Sequence, residues 1–374
     1  MYIGVPREIK NNEFRVGLTP GSVREVISHG HQVIVETGAG LGIGKSDQDY
    51  ISVGASIAQT AVDVFQQAEM IIKVKEPQAV ERAMLRADQI LFTYLHLAPD
   101  PKQTKDLVDS GAVCIAYETV TSVSGGLPLL APMSEVAGRM SIQAGAHCLE
   151  RSQGGKGKLL GGVPGVAPAK VVIIGGGVVG RHAADMAIGL GADVWVLDRS
   201  NVVLKSLWEH FGRSVHTVFS TQEALEQHVL SADLVVGGVL IPGASAPKLV
   251  TADMVAKMEA GSVLVDVAID QGGCFETSHA TTHADPTFVV NNVIHYCVAN
   301  MPGAVPQTST FALNNATLPF VLEISSKGYQ QALIDNPHLR HGLNVYKGKV
   351  TIKEVADIQG YEYHSAEQVL GINS

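Results

Sequence analysis

Short apolar runs recur along the first third of the chain, at 2–5, 33–35, 70–74, 90–94 and 113–116. Each reads as a buried strand, and helical spacing fills the intervals near 20–29, 58–67, 78–86 and 101–110. Thr19 followed by Pro20 is an N-cap signal with proline in the first turn. Pro101 opens a similar helix that Gly111 closes. Strands alternating with helices predict a mostly parallel, helix-covered sheet. The glycine-rich stretch TGAGLGIGKSD at 37–47 lacks a strand-supported helix after it and is predicted to be a turn or lid. Near 134 the pattern changes. Ser134 is predicted to cap a helix, EVAGRMSIQAGAHCLERS, and an irregular glycine-rich loop follows. Further strands are predicted at 171–174, 194–197, 215–219, 234–237, 263–267 and 288–290, six in all. After Pro302 and Pro306 the chain turns helical. Only about 70 residues remain there, too few for another α/β domain, so they are expected to return to the first domain. The expected domains are 1–133 plus 305–374, and 134–304.

The segment 171–198, VVIIGGGVVGRHAADMAIGLGADVWVLD, carries the most specific signal. Gly175, Gly177 and Gly180 stand at G-x-G-x-x-G spacing between an apolar strand and a helix, and the next strand ends in Asp198. In that context the glycines serve a tight turn, a close backbone approach to pyrophosphate, and helix–strand packing. A carboxylate at 198 pairs with a free ribose 2′-hydroxyl and repels a 2′-phosphate, which favours NAD over NADP; the neighbouring Arg199 argues the other way. The fold class expected is therefore α/β, with two Rossmann-like, doubly wound parallel-sheet domains, the first discontinuous, and a cleft between them.

Composition narrows the function. A net charge of −9 and no basic run exclude a nucleic-acid surface. Four cysteines, Cys114, Cys148, Cys274 and Cys297, show no zinc or C-x-x-C spacing. The start of the chain lacks a signal-peptide pattern and no apolar run approaches a membrane span, so a cytoplasmic protein without a membrane partner is expected.

Candidate chemistry clusters after predicted strands. Arg15 lies in REIKNNEFRVGLTP, Lys75 in KVKEP, His96 in TYLHLAPDP and Asp270 in VDVAIDQGG. Polar groups at the carboxyl ends of parallel strands converge on one rim. Singly, each also has a structural reading: a solvated arginine, a salt-bridged lysine, a histidine satisfying backbone groups. Asp266 competes with Asp270, but its place within the strand fits a structural hydrogen-bonder.

Taken together these motifs resemble the alanine dehydrogenase family along essentially the whole chain. The likeness rests on GVPREIKNNEFRVGLTP, KVKEP, LFTYLHLA, LLAPMSEVAGRMS, GGGVVG, VDVAIDQGG and VANMPGAVPQTST. The opening is shared with the soluble part of proton-translocating transhydrogenases. The resemblance implies an NAD-dependent enzyme that reversibly deaminates L-alanine to pyruvate and ammonium. It implies His96 and Asp270 as acid/base groups and Arg15 and Lys75 on the substrate carboxylate and oxygen. Implied cofactor contacts are Ser134, Gly175, Gly177, Val178, Val179, Gly180, Asp198, Ser220, Val239, Leu240, Val267, Ala268, Ile269, Asp270, Val298, Ala299, Asn300 and Met301. Tyr94, Leu130 and Met133 would line a pocket for the alanine methyl. A homohexamer is implied as well. Two departures stand out: Val203 replaces a basic residue found in some relatives, and Lys327 replaces a histidine that pairs with Glu323 on a metal in part of the family. No metal is expected. The other readings weighed are a dehydrogenase for a neighbouring small 2-oxo acid, a transhydrogenase subunit and a non-catalytic NAD sensor.

Overall fold

In the computed structural model, which describes residues 1–239 and 246–372, the chain divides into two compact units. One runs from Met1 to Met133 and resumes at Val305; the other takes Ser134–Ala304.

The first unit opens with six parallel strands: β1 (Tyr2–Val5), β2 (Gln32–Glu36), β3 (Ser56–Ala58), β4 (Met70–Ile72), β5 (Ile90–Thr93) and β6 (Val113–Ala116). The second holds β7 (Lys170–Ile174), β8 (Asp193–Asp198), β9 (His216–Phe219), β10 (Leu234–Gly237), β11 (Val263–Asp266), β12 (Thr287–Val290) and β13 (Val293–Tyr296). The chain then returns to the first sheet with β14 (Leu343–Tyr346) and β15 (Lys349–Val350). Spatial order is β15-β14-β6-β5-β4-β1-β2-β3 in one sheet and β12-β13-β11-β10-β7-β8-β9 in the other. Stripped of its antiparallel strands, each sheet follows the 3-2-1-4-5-6 order of a doubly wound fold. The order reverses between β1 and β4 in the first unit and between β7 and β10 in the second. Ligands bind outside the strand carboxyl ends at such reversals.

The helix ends predicted at Thr19, Pro101 and Gly111 form. Thr19 accepts a hydrogen bond from Ser22 N at the start of helix Pro20–Ser28, and Asp100 caps helix Pro101–Ser110, which ends at left-handed Gly111. The stretch 37–47 is a turn closed by Asp47, whose carboxylate accepts from Thr37 Oγ1 and Gly38 N.

Other expectations need correction. The window 58–67 begins in β3, a three-residue strand too short for its alternation to show, and its helix starts only at Ala61. The helix expected over 78–86 spans Ala79–Arg82. The segment 288–290 lies in the antiparallel β12, and the sixth parallel strand is β13. Asn291 and Asn292, with φ of 50° and 61°, form the two-residue turn that separates them; paired left-handed residues suit the twist of such a hairpin. Ser134 does not cap. The helix runs Ala131–Cys148 and so starts four residues before Glu135, with Pro132 in its first turn. The returning segment is not purely helical, because β14 adds antiparallel to β6.

Candidate active site

In the second unit the glycine loop joins β7 to helix Val178–Gly189. Gly175 adopts φ +97°, which only glycine takes freely, and its N–H donates to Leu197 O. A Cβ on Gly180 would sit 1.8 Å from Gly175 O, so this glycine is fixed by packing. Gly177 is different. Its φ is −67° and a Cβ there would meet nothing within 4 Å, so neither backbone nor packing requires glycine. What the missing side chain leaves is open space before the N-terminal amides of a helix, which suits a pyrophosphate. The donor set and the cradle fit a dinucleotide. Asp198, at the end of β8, accepts from Gly176 N and Ser200 N, each at 2.7 Å. Its carboxylate therefore also holds the glycine loop in shape, while Arg199 is exposed.

The remaining cofactor candidates follow strand carboxyl ends of the same sheet. Ser220 follows β9 and donates its N–H to Asp198 O, and Val239 follows β10 against Gly175. Leu240 lies outside the described residues. Val267, Ala268, Ile269 and exposed Asp270 form a short 3-10 turn after β11. Asp266 caps that turn through Ala268 N and also accepts from Cys274 N, Phe275 N and Ser278 Oγ. That is the structural role its strand position predicted. Val298, Ala299, Asn300 and Met301 follow β13, with Asn300 at φ +70°.

In the first unit Arg15 follows β1, Lys75 follows β4 and His96 follows β5, so Arg15 and Lys75 flank the reversal of strand order. Arg15 is 2% exposed. Its Nε and Nη2 each donate to Glu13 at 2.6 Å, and Nη1 points at Met133 Sδ, 3.0 Å away. Burial penalises the guanidinium charge, but the Glu13 fork outweighs it and raises the pKa. The loop is pinned by helix Pro306–Lys327, from which Asn314 accepts Thr19 N and donates to Gly17 O. Lys75 is half-buried, and its main chain is fixed by Thr93 Oγ1 and by Glu8. Beside it, Glu76 bonds to Lys10. Burial works against the Glu76 charge, yet Lys75, Lys10 and His96 together hold its carboxyl below the usual carboxylate range. Tyr94 is buried, donates to Leu129 O and stacks on the His96 ring at 5.8 Å with 13° between planes. Guanidinium, ammonium and imidazole thus share one end of the first sheet with Tyr94 and Met133.

Sequence reading missed the supports beneath them. Lys73 is fully buried between Glu8 Oε2 (2.9 Å) and Glu81 Oε1 (2.7 Å). Glu8 Oε1 also accepts Val74 N at 2.6 Å, so this charge triad sets the backbone that carries Lys75. The clue was in plain view: a lysine inside an apolar strand demands buried partners. Lys327, noted above as a departure in the sequence, donates to Glu323 (3.1 Å) and Asp335 (3.0 Å).

The sequence matches the family model "Alanine dehydrogenase/PNT, N-terminal domain" over residues 4–137 and "Alanine dehydrogenase/PNT, C-terminal domain" over 141–353. It is 60% identical to the alanine dehydrogenase of Halomonas elongata over 371 residues, 99% of this chain and all of that protein. It is 56% identical to the alanine dehydrogenase of Methanococcus maripaludis over the same share. A solved L-alanine dehydrogenase superposes with a TM-score of 0.93 at 52% identity, covering 96% of this chain and 99% of that one. The transhydrogenase of Sinorhizobium meliloti gives 0.81 at 25% identity, with 94% and 99% covered. With both domain models and full-length relatives in agreement, the chain belongs to the alanine dehydrogenase/PNT family, and family and fold together imply a nicotinamide cofactor.

Proposed function

We propose that the chain catalyses the reversible, NAD-dependent oxidative deamination of L-alanine to pyruvate and ammonium. The observation that carries this reading is the gathering of Arg15, Lys75 and His96 at the carboxyl ends of β1, β4 and β5, in a chain whose second unit carries a dinucleotide loop. The bound dinucleotide supplies a hydride acceptor at the nicotinamide C4. The residues of the chain do the rest. Arg15, already oriented by Glu13, pairs with the substrate carboxylate through a charge-assisted hydrogen bond. Lys75 stabilises negative charge developing on the substrate oxygen. Loss of hydride from the α-carbon leaves an iminium, to which water adds. His96 takes the proton from that water and returns one to the departing ammonia; Asp270 is the second acid/base group. Tyr94, Leu130 and Met133 bound the space for the methyl.

NAD is preferred over NADP because the Asp198 carboxylate repels a 2′-phosphate. The further contacts are Ser134, Val178, Val179, Ser220, Val239, Val267 to Asp270 and Val298 to Met301. Among the described residues no helix is long and apolar enough to cross a membrane. A cytoplasmic homohexamer completes the proposal, and light scattering of the purified protein reads its assembly.

The test is spectrophotometric. NADH should form with L-alanine plus NAD, more slowly with L-serine, and not with a nucleotide acceptor alone. Turnover with the nucleotide acceptor only would end the reading. His96→Ala should lower kcat by about 10²–10⁴-fold with little change in NAD affinity; an unchanged kcat removes His96 from the acid/base role.

A further inference from the structure

His96 is one of the few residues other than glycine with positive φ, at +51°. Left-handed backbone is disfavoured for residues with a Cβ and persists where the surroundings over-determine it. The surroundings here can be named. Glu118 lies in the 3-10 turn Tyr117–Thr119 directly after β6. Its Oε1 accepts the His96 N–H at 2.6 Å and the Leu95 N–H at 3.1 Å, and Oε2 lies 3.2 Å from Leu95 N. From the other side Gln103, itself 1% exposed, donates Nε2 to Leu95 O at 2.5 Å. The carbonyl and the amide of the Leu95–His96 peptide are thus gripped at once, by side chains from two different elements. The imidazole itself is exposed and stacked on Tyr94, and no hydrogen bond holds its ring nitrogens among the described residues. Ring direction is therefore set by the backbone beneath it and by the Tyr94 face.

We propose that Glu118 is a positioning residue for the dehydrogenase reaction: its carboxylate holds the Leu95–His96 peptide so that His96 keeps the left-handed conformation that aims its imidazole. The proposal rests on the reading of His96 as the acid/base group. Glu118 touches no reacting atom. It works as an acceptor of two N–H groups, a task that a neutral amide oxygen at the same place can share. A carboxylate acting as a proton relay could not be replaced in this way.

The experiment is a double-mutant cycle in the full-length protein, with kcat, KM for L-alanine and NADH affinity measured for Glu118→Ala, Glu118→Gln, His96→Ala and Glu118→Ala/His96→Ala. Misplacing a catalytic group by about 1 Å costs on the order of 100-fold in rate. Glu118→Ala is therefore expected to lower kcat by about 10–100-fold with NADH affinity within about twofold. Glu118→Gln is expected to recover most of that loss. In the His96→Ala background the Glu118→Ala change should add nothing, because two residues acting through one group are not additive. An equal loss in both backgrounds overturns the proposal, as does a Glu118→Ala enzyme with unchanged kcat beside a crippled His96→Ala. If His96→Ala itself keeps its kcat, the acid/base reading falls and takes this proposal with it. Should Glu118→Ala fail to fold, Glu118→Gln decides alone: a collapse of kcat in that variant would mean the charge is needed, not the acceptor.

Discussion

Two glycines three residues apart make the sharpest test of the dinucleotide loop, because the same added methyl should do opposite things. At Gly180 the new Cβ would sit 1.8 Å from Gly175 O and 2.9 Å from Gly175 C, both backbone atoms of the turn itself. No side chain can yield there, so helix and strand must part. Overpacking of this kind costs about 1–3 kcal/mol or more. For a unit of this size each kcal/mol lowers Tm by about 2–4 °C, which gives a loss of roughly 2–12 °C. At Gly177 the methyl would enter empty space at a φ that alanine accepts. The helix loses at most about 1 kcal/mol from an alanine cap. The phosphates, however, meet a methyl where they need bare amides. Losing one charge-assisted hydrogen bond costs about 1.5–3 kcal/mol, which is roughly a 10- to 150-fold weaker complex. Thermal unfolding followed by tryptophan fluorescence, and NADH titration, read the two effects separately. Gly177→Ala should keep its Tm within a few degrees and bind NADH poorly; Gly180→Ala should melt early. A Gly177→Ala protein that binds NADH as tightly as the parent would refute the assignment of that space to the pyrophosphate.

Lys73→Met should destabilise the protein by about 3–5 kcal/mol, because Glu8 and Glu81 would remain buried without their cation. Adding Glu8→Gln and Glu81→Gln should restore most of the loss in urea unfolding; no recovery would show that the charges were not the cause. Asp233 tests pH dependence. Burial opposes its charge, but Lys158, Lys170 N and Lys156 hold its carboxyl below the ordinary value. A depressed folded pKa means stability fully present above the unfolded value near 3.9 and lost as pH falls through the folded one. The unfolding free-energy difference between the wild type and Asp233→Asn should therefore hold steady from about pH 5 to 7 and shrink below about pH 4. A difference that grows in acid contradicts that sign.

Legibility differed by the range of the interaction involved. The glycine loop, the strand before it and the acid after the next strand obey local spacing, and the structure builds all three as read. The Thr19 cap and the Gly111 stop are equally local. What escaped was small or non-local. A three-residue strand has no period to detect, which hid β3. The Asn291–Asn292 hairpin displaced the sixth parallel strand by a few residues, because asparagine pairs are a weaker turn signal than Asn-Gly. Ser134 looked like a cap because the upstream turn at Leu127–Leu130, from which the helix actually grows, carries no cap residue of its own.

The sequence by itself determined the periodic elements, the order of strand, loop and helix around Gly175, and which residues stand at strand ends, since each depends on neighbours within a few positions. Only the tertiary structure decided that β1 and β4 adjoin, so that Arg15 and Lys75 flank one reversal of strand order. It alone docked Asn314 against the loop that carries Arg15, sank Lys73 between two carboxylates, and gripped the His96 backbone with Glu118 and Gln103. The physical reason is that a buried charge or a strained backbone is stable only where distant segments supply its partners. Which segments do so is fixed by how the sheet is ordered, and no short window of residues encodes that.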